Sequence, residues 1–243
     1  MIVAIVSYLN TLPFIYGIER AAPRLSSALN TCVPAECARM IRDGEADIAL
    51  VPVAVIPSLK NCKIITNFCI SAENEVRTVE LLSNTPINLI KKIYLDSHSR
   101  TSAQLVQIIA REKWVIDPIW VDNLPDNPEN IAHGEAVMCI GDKVFELEDK
   151  FEYNVDLATE WIEHTGLPFV FAAWVATEKG QQYEQELAQA LEFGVEHTAQ
   201  AIEEYNPKQP LAHTYLTHNI KYYLNEAKVE AMKVFWEKQK IPG

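Results

Sequence analysis

Hydroxyl and cationic side chains are concentrated in one short stretch, residues 97–102, where the sequence reads SHSRTS. An apolar segment at 91–95 indicates a strand before this stretch, and apolar residues at helical spacing from Ala103 onward indicate a helix after it. The first turn of a helix has unpaired backbone N–H groups that bind carboxylates or phosphates, and nearby hydroxyl and guanidinium groups add hydrogen bonds. The sequence therefore predicts an anion-binding loop whose donors come from Ser97, Ser99, Arg100, Thr101 and Ser102.

A simpler interpretation of this loop remains open. Ser99 or Thr101 alone would serve as the N-cap of the helix, which contributes about 1 kcal/mol of stability without any ligand. His98 lies within the loop, and because histidine is the side chain whose reference pKa lies near neutral pH, it is either a proton carrier or a solvated histidine. The remaining histidines show no metal-ligand spacing, and no metal site is predicted.

The composition limits the classes of protein that need consideration. The chain has 243 residues, enough for one large domain or two small ones, and 49% of them are hydrophobic, as in globular proteins. Its formal net charge of -12 argues against a nucleic-acid-binding surface. No apolar stretch is long enough to span a membrane and the N-terminus lacks a basic export signal, so we expect a cytoplasmic protein without a membrane partner. The 5 cysteines contain no CxxC motif and predict free thiols.

Strands and helices alternate along most of the chain. The continuous apolar run at 2–6 is typical of a strand buried on both faces, and the polar loop at 7–11 leads into a helix that starts at Pro13. Pro34 and Gly44 mark the start and the end of a second helix. Further strands are predicted at 47–51, 63–70, 77–82, 136–140 and 169–176, and further helices at 53–58 and 156–163. This alternation is typical of the α/β class.

Two segments of similar pattern predict that the chain forms two lobes. RDGEADIALVPVAVI at 42–56 and AHGEAVMCIGDKVF at 132–145 each combine a helix end, Gly-Glu-Ala, an apolar strand and a turn. The C-terminal part predicts helices only, at 181–202, 211–224 and 226–238. One lobe is therefore predicted from residues 1–86 and 177–243, and the other from residues 87–176. Ligands of such sheets bind beyond the carboxyl ends of strands, which predicts a cleft lined by loops 7–11, 51–52, 97–102 and 141–142.

Several motifs, taken in order, carry a resemblance to a known family. SYLNTLPF, DGEADIALVP, VRTVELLS, LDSHSRTSAQL, the IGD turn and DLATEWIEHTGLPFVFAAW cover most of the first 176 residues, and YLTHNIKYYL follows near the C-terminus. Together they resemble the chorismate dehydratases of the futalosine route to menaquinone. The resemblance implies a fold like that of type II periplasmic binding proteins, with two α/β lobes and the substrate between them. It also implies a reaction, in which chorismate loses water to give 3-[(1-carboxyvinyl)oxy]benzoate without a metal or an organic cofactor.

The resemblance also implies roles for individual residues. Asn10, in the SYLN motif, is expected to hydrogen-bond the substrate near the reacting carbons or the leaving hydroxyl. Thr78 stands where we expect a serine in many relatives, and its hydroxyl is expected to assist the elimination. Ser99, Arg100, Thr101 and Ser102 are expected to bind a carboxylate group of the substrate. The predicted substrate-binding residues also include Ser7 and Asp142.

Each of these assignments has a structural alternative. Asn10 would serve as a loop cap, Thr78 as an ordinary β-branched strand residue, and Asp142 as a helix N-cap. Arg100 would pair with an acidic neighbour instead of a carboxylate ligand. Asp47, at the start of a predicted strand, is expected to have a structural role only.

The chemistry of the implied substrate is compatible with these loops. Chorismate is a dianion, and a helix start of the predicted kind holds one of its carboxylates. Because the loops at 7–11, 51–52, 97–102 and 141–142 contain no histidine or glutamate apart from His98, one hypothesis is that the enolpyruvyl carboxylate of the substrate accepts the proton. Two other functions remain open, a cytoplasmic binding or sensor protein for small carboxylates, and the sister enzyme 1,4-dihydroxy-6-naphthoate synthase. A monomer and a homodimer are both compatible with the sequence.

Overall fold

Two β-sheets organise the protein in a computed structural model that describes residues 1–96 and 99–240. The strands are β1 (Val3–Val6), β2 (Leu29–Cys32), β3 (Ile48–Pro52), β4 (Cys62–Ala72), β5 (Val79–Ser83), β6 (Lys92–Leu95), β7 (Ile119–Asp122), β8 (Glu135–Ile140), β9 (Tyr153–Asp156), β10 (Phe169–Thr177) and β11 (Lys221–Tyr223). The first sheet has the order β11-β4-β10-β3-β1-β2, and the second has the order β7-β6-β8-β5-β9.

Helices cover both sheets. They are α1 (Leu12–Ala21), α2 (Pro23–Ser26), α3 (Pro34–Arg42), α4 (Arg100–Ile109), α5 (Val144–Leu147), α6 (Leu157–Thr165), α7 (Glu184–Glu196), α8 (Thr198–Tyr205), α9 (Ala212–Thr214) and α10 (Glu226–Gln239). Short 3-10 turns span Leu9–Thr11 and Val53–Ser58, and a π-helical turn spans Tyr215–Asn219. Within residues 1–96 and 99–240, no helix is both long enough and apolar enough to cross a membrane.

The strongest local signals of the sequence correspond to observed elements. β1 is fully buried and pairs in parallel with β2 and β3, as expected for a continuous apolar run. Proline occupies the first turn of α1 and of α3, where its missing N–H costs nothing. Gly44 follows α3 with a φ of 75°, a left-handed conformation that glycine adopts without strain. The predicted α/β class is confirmed.

Helices α1 and α7 approach each other closely at two glycines. A Cβ atom on Gly194 would lie 1.9 Å from the carbonyl oxygen of Pro13, and one on Gly17 would lie 2.0 Å from that of Ala190. Neither position therefore accommodates a larger residue without separating the helices. The contact fixes α1 against the first sheet, and α1 directly follows the Leu9–Thr11 turn, which includes Asn10.

Two strands belong to a different lobe from the one that the predicted boundaries at 86 and 177 assign to them. β5 pairs with β8 and β9 in the second sheet, although it was assigned to the first lobe. β10 pairs with β3 and β4 in the first sheet, although it was assigned to the second lobe. The chain thus crosses from the first sheet to the second through residues 73–78, and returns through residues 157–168. The physical reason is that apolar character marks a strand as buried without specifying its partner strand.

The C-terminal region also differs from the prediction. The expected helix at 211–224 is instead α9, a π-helical turn and strand β11, which pairs antiparallel with β4. The expected long helix from 181 is divided at His197 into α7 and α8. β2 and β7 lie in segments to which no element was assigned, and both are short edge strands with largely exposed side chains. Such strands lack the alternating pattern by which a half-buried strand is identified.

Candidate functional site

A cavity lies between the two sheets and contains about 540 Å³ of empty space, part of which is open to solvent. Its apolar lining includes Val6, Leu50, Ile70, Val79, Ile140 and Phe171. Its polar lining is formed by Tyr8, Asn10, Thr11, Thr78, Ser99 and Ser102. Val6 and Ile140 are the last residues of β1 and β8, so the cavity lies where strands end, as expected for this class of sheet.

Two of the predicted residues meet at a buried tyrosine. Thr78 is 2% exposed, and its hydroxyl lies 2.8 Å from the hydroxyl of Tyr215, which is 1% exposed. Burial raises the pKa of Tyr215, and hydrogen bonding by Thr78 and Asn10 only partly offsets this effect. The phenol is therefore neutral at physiological pH and fixes the positions of both side chains at one wall of the cavity.

Tyr215 had no predicted role. It is the first residue of the π-helical turn Tyr215–Asn219, where the sequence predicted a regular helix. Single-turn π segments are frequent at functional sites, but no periodicity in the sequence indicates them. The only available signal was the YLTHNIKYYL motif of the resemblance.

The backbone before Thr78 is held by a buried carboxylate. Asp156 accepts hydrogen bonds from the N–H groups of Val76 at 2.8 Å and Arg77 at 2.7 Å, and it also caps α6 through the N–H of Thr159 at 2.9 Å. Arg77 adopts a φ of 66°, which is strained for a side chain of this kind, and its guanidinium pairs with Glu148 at 2.9 Å. These contacts join the two crossings between the sheets and direct Thr78 toward the cavity.

The opposite wall is formed by the start of α4. Ser99 is the N-cap of this helix, and its hydroxyl oxygen accepts a hydrogen bond from the N–H of Ser102 at 3.1 Å. The Ser99 hydroxyl also donates to that of Ser102 at 3.0 Å. The helix begins at Arg100, three residues before the predicted start at Ala103, so the loop is shorter than expected. Ser99 therefore both caps α4 and lines the cavity.

Thr101 and Asp142 form contacts between the lobes. The hydroxyl oxygen of Thr101 accepts a hydrogen bond from the N–H of Ala54 at 3.1 Å in a buried setting. The carboxylate of Asp142 accepts a hydrogen bond from the N–H of Leu9 at 3.2 Å. The Asp142 side chain is exposed to solvent. The surrounding protein nevertheless raises its pKa by partly removing water from the carboxylate, and the hydrogen bond from the Leu9 N–H lowers it. Both residues join the lobes, and neither belongs to the cavity lining.

The other predicted residues lie elsewhere. Ser7 and Arg100 are exposed, and neither contributes to the lining of the cavity. Asp47 accepts a hydrogen bond from the N–H of Ile2 at 3.0 Å, which confirms its structural role. Ser97 and His98 lie outside the described residues.

The described cavity lining contains one ionisable group, Tyr8. Burial raises its pKa to about 12, with additional contributions from Asp96 and Asp142. Tyr8 is thus a hydrogen-bond donor rather than a base at neutral pH. In residues 1–96 and 99–240, no group of three or more histidine, cysteine or acidic side chains is arranged to bind a metal ion.

The architecture defines a class of protein, an α/β protein with two lobes and a cavity between them. The fold is shared with protein AF1704 from Archaeoglobus fulgidus, with a TM-score of 0.74 and 15% identity, over 97% of this chain and 95% of that protein. It is also shared with the CA3427 gene product of Candida albicans, described as having the generic periplasmic binding protein fold. That match has a TM-score of 0.66 and 11% identity, over 99% of this chain and 90% of the other. The predicted periplasmic-binding-protein-like fold is confirmed.

Within this class, the sequence identifies a family. The menaquinone biosynthesis family matches residues 1–240, and the chain belongs to that family. A relative from Thermus thermophilus, named chorismate dehydratase, is 24% identical over 259 residues, which cover 97% of this chain and 93% of the relative. These matches confirm the predicted resemblance.

Proposed function

We propose that this protein is a chorismate dehydratase, which removes water from chorismate to give 3-[(1-carboxyvinyl)oxy]benzoate. The family match and the named relative support this activity. The observation that carries the proposal is the arrangement of the cavity. Asn10 and Thr78 meet at Tyr215 on one wall, the start of α4 forms the other, and apolar side chains lie between them. A flat, largely apolar ring with polar groups at its edges matches this arrangement.

The start of α4 is the proposed site of the ring carboxylate. The Ser102 hydroxyl and the backbone N–H groups of Arg100 and Thr101 supply donors, and the helix start supplies a positive electrostatic potential. Removal of the proton at C3 transfers negative charge through the ring to this carboxylate. Donors that are already oriented stabilise the charge as it develops, without a cost of reorganisation. The helix thereby both binds the substrate and acidifies C3.

The proton at C3 is proposed to pass to the enolpyruvyl carboxylate of the substrate itself. This assignment rests on the absence of a carboxylate, imidazole or amine among the described lining residues, and on the raised pKa of Tyr8. The electron pair of the C3–H bond becomes the C3–C4 double bond, and the C4–O bond breaks. Asn10 and Thr78 hydrogen-bond the departing hydroxyl, which leaves as water with the transferred proton. The ring that results is aromatic, which supplies much of the driving force.

Incubation of purified, metal-free protein with chorismate tests the proposal directly. Liquid chromatography with mass spectrometry should show loss of chorismate and formation of the aromatic enol ether without any added cofactor. Tight binding of chorismate by calorimetry without turnover would instead support a binding or sensor protein, which the fold also permits. The absence of both would contradict the proposal and favour the sister naphthoate synthase. A cytoplasmic location and the oligomeric state, monomer or homodimer, remain predictions.

Tyr215→Phe is expected to lower kcat about tenfold with little change in KM, because one hydrogen bond that orients Thr78 and Asn10 is lost. The matched control is Tyr222→Phe. Tyr222 is also buried, and its hydroxyl has no hydrogen-bond partner among the described residues. Steady-state kinetics and thermal unfolding of both variants separate the hydrogen-bonding role of the Tyr215 hydroxyl from a role in packing. An equal loss of kcat in both variants would mean that Tyr215 acts through general packing.

A further inference from the structure

Two thiols of the first lobe lie in direct contact. The sulfur atoms of Cys32 and Cys37 are 3.0 Å apart, and both cysteines are reduced. Cys32 ends β2, and Cys37 lies in the first turns of α3, so a tight connection through Pro34 brings them together. The proposed dehydration does not use either thiol.

The two thiols differ in solvent access and in acidity. Cys32 is partly exposed, whereas Cys37 is fully buried. The hydrogen bond from Cys37 lowers the pKa of Cys32, and the charge of Arg39 lowers it as well. Burial and the charge of Glu36 raise it, but the net shift is downward. The same hydrogen bond and burial raise the pKa of Cys37. A partly exposed cysteine with a lowered pKa and a second thiol beside it is the usual arrangement of a cysteine pair that reacts with oxidants.

We propose that Cys32 and Cys37 form a reversible disulfide on oxidation by peroxides. The Cys32 thiolate attacks one peroxide oxygen, so that an S–O bond forms, the O–O bond breaks and hydroxide leaves. The sulfur of Cys37 then attacks the sulfenic acid, the S–O bond breaks, and water leaves with the proton of Cys37. A dithiol reductant returns both residues to thiols. Forming an S–S bond of about 2.05 Å requires the sulfurs to move about 1 Å closer, which a short loop accommodates.

The pair adjoins the wall of the cavity. Pro34, between the two cysteines, lines the cavity, and so does Val6, which pairs with Cys32 in the first sheet. A disulfide would therefore fix Val33 and the first turn of α3 against this wall. This consequence for substrate binding rests on the proposed function, whereas formation of the disulfide does not.

Thiol titration of the full-length protein with hydrogen peroxide tests the proposal. Two of the 5 cysteines are expected to lose reactivity toward an alkylating reagent under denaturing conditions, with a mass decrease of about 2 Da. Peptide mapping should link Cys32 to Cys37, and dithiothreitol should reverse the change. Cys62→Ser is the matched control, because Cys62 is also partly exposed, and this variant should oxidise as the wild type does. Cys32→Ser should form no intramolecular disulfide.

Retention of all five thiols, or a disulfide that involves another pair or another molecule, would overturn the proposal. The effect on the cavity has its own measurement, the KM for chorismate of the oxidised and the reduced protein. A difference between them that dithiothreitol abolishes, and that Cys32→Ser lacks, would support the link to the cavity wall, and identical values would contradict it. Failure of turnover in both forms would concern the proposed function and leave the thiol result unaffected.

Discussion

Asn10→Ala is expected to lower kcat for chorismate dehydration by about 10²- to 10³-fold, the effect of removing one oriented donor from a charge-stabilising site. The amide lines the cavity and hydrogen-bonds Tyr215, so in the proposed mechanism it meets the departing hydroxyl directly. KM should change less than kcat, because the start of α4 still binds the ring carboxylate. Steady-state kinetics over a range of chorismate concentrations separates the two parameters.

The structure indicates that this variant keeps its fold. The loop around Asn10 is held by Thr11, whose hydroxyl donates to the carbonyl oxygens of Val6 at 2.6 Å and Tyr8 at 2.8 Å. The asparagine side chain is therefore not required for the turn. Asn30→Ala serves as a control in the same lobe, because Asn30 lies exposed on edge strand β2. Full activity of Asn10→Ala would exclude a catalytic role for the amide, and equal losses in both variants would indicate a structural effect.

The elements near the site were predictable where local chemistry determines them. Pro13, Pro34 and Gly44 fix helix boundaries through backbone restrictions that act within a few residues, and the observed helices begin or end within two residues of them. Apolar runs also marked β1, β3 and β8 correctly. These signals are independent of the rest of the fold, so they can be recognised from a single sequence.

The pairing of strands was not predictable on the same basis. β5 and β10 are both strands, as expected, yet each belongs to the sheet opposite the one predicted. The sequence FVFAAWVAT of β10 does not specify its partner strand, because pairing depends on contacts between residues far apart in the chain. β11 was missed for a related reason, since its three residues gain their backbone hydrogen bonds from β4 rather than from a local pattern.

The candidate site divides in the same way. Asn10, Thr78, Ser99 and Ser102 belong to motifs and line the cavity, although their roles in the reaction remain predictions. Thr101 was assigned to a ligand because its residue type and position suit one, but its hydroxyl oxygen bonds the backbone of the other lobe. A hydroxyl at the start of a helix is equally suited to binding a ligand and to bonding the backbone of a neighbouring lobe. Only the packing of the two lobes determines which one it serves.

Stability is expected to fall as the pH rises, because of one buried carboxyl group. Glu80 lies in β5, is 6% exposed, and one of its oxygens has no hydrogen-bond partner among the described residues. Its pKa is raised to about 8, mainly by burial and also by the nearby charges of Asp156, Glu148 and Glu75, whereas Arg77 lowers it. The folded protein thus holds this proton more tightly than the unfolded chain, whose carboxyl titrates near 4.5. The contribution of Glu80 to stability is most favourable below pH 4.5 and declines until the pH passes about 8.

Glu80→Gln should therefore stabilise the protein at pH 8.5 by several kcal/mol, and much less at pH 5.5, where Glu80 is already neutral in the folded state. Urea unfolding at the two pH values measures the difference, with Glu152→Gln as the control because Glu152 is exposed. A gain that is equal at both pH values, or equal in both variants, would show that Glu80 is ionised in the folded protein.

Glu80 lies two residues after Thr78, so a charge on Glu80 would act on β5, the strand that directly follows the proposed catalytic hydroxyl. Activity should consequently decline with stability above pH 8 in the wild type, and Glu80→Gln should retain it.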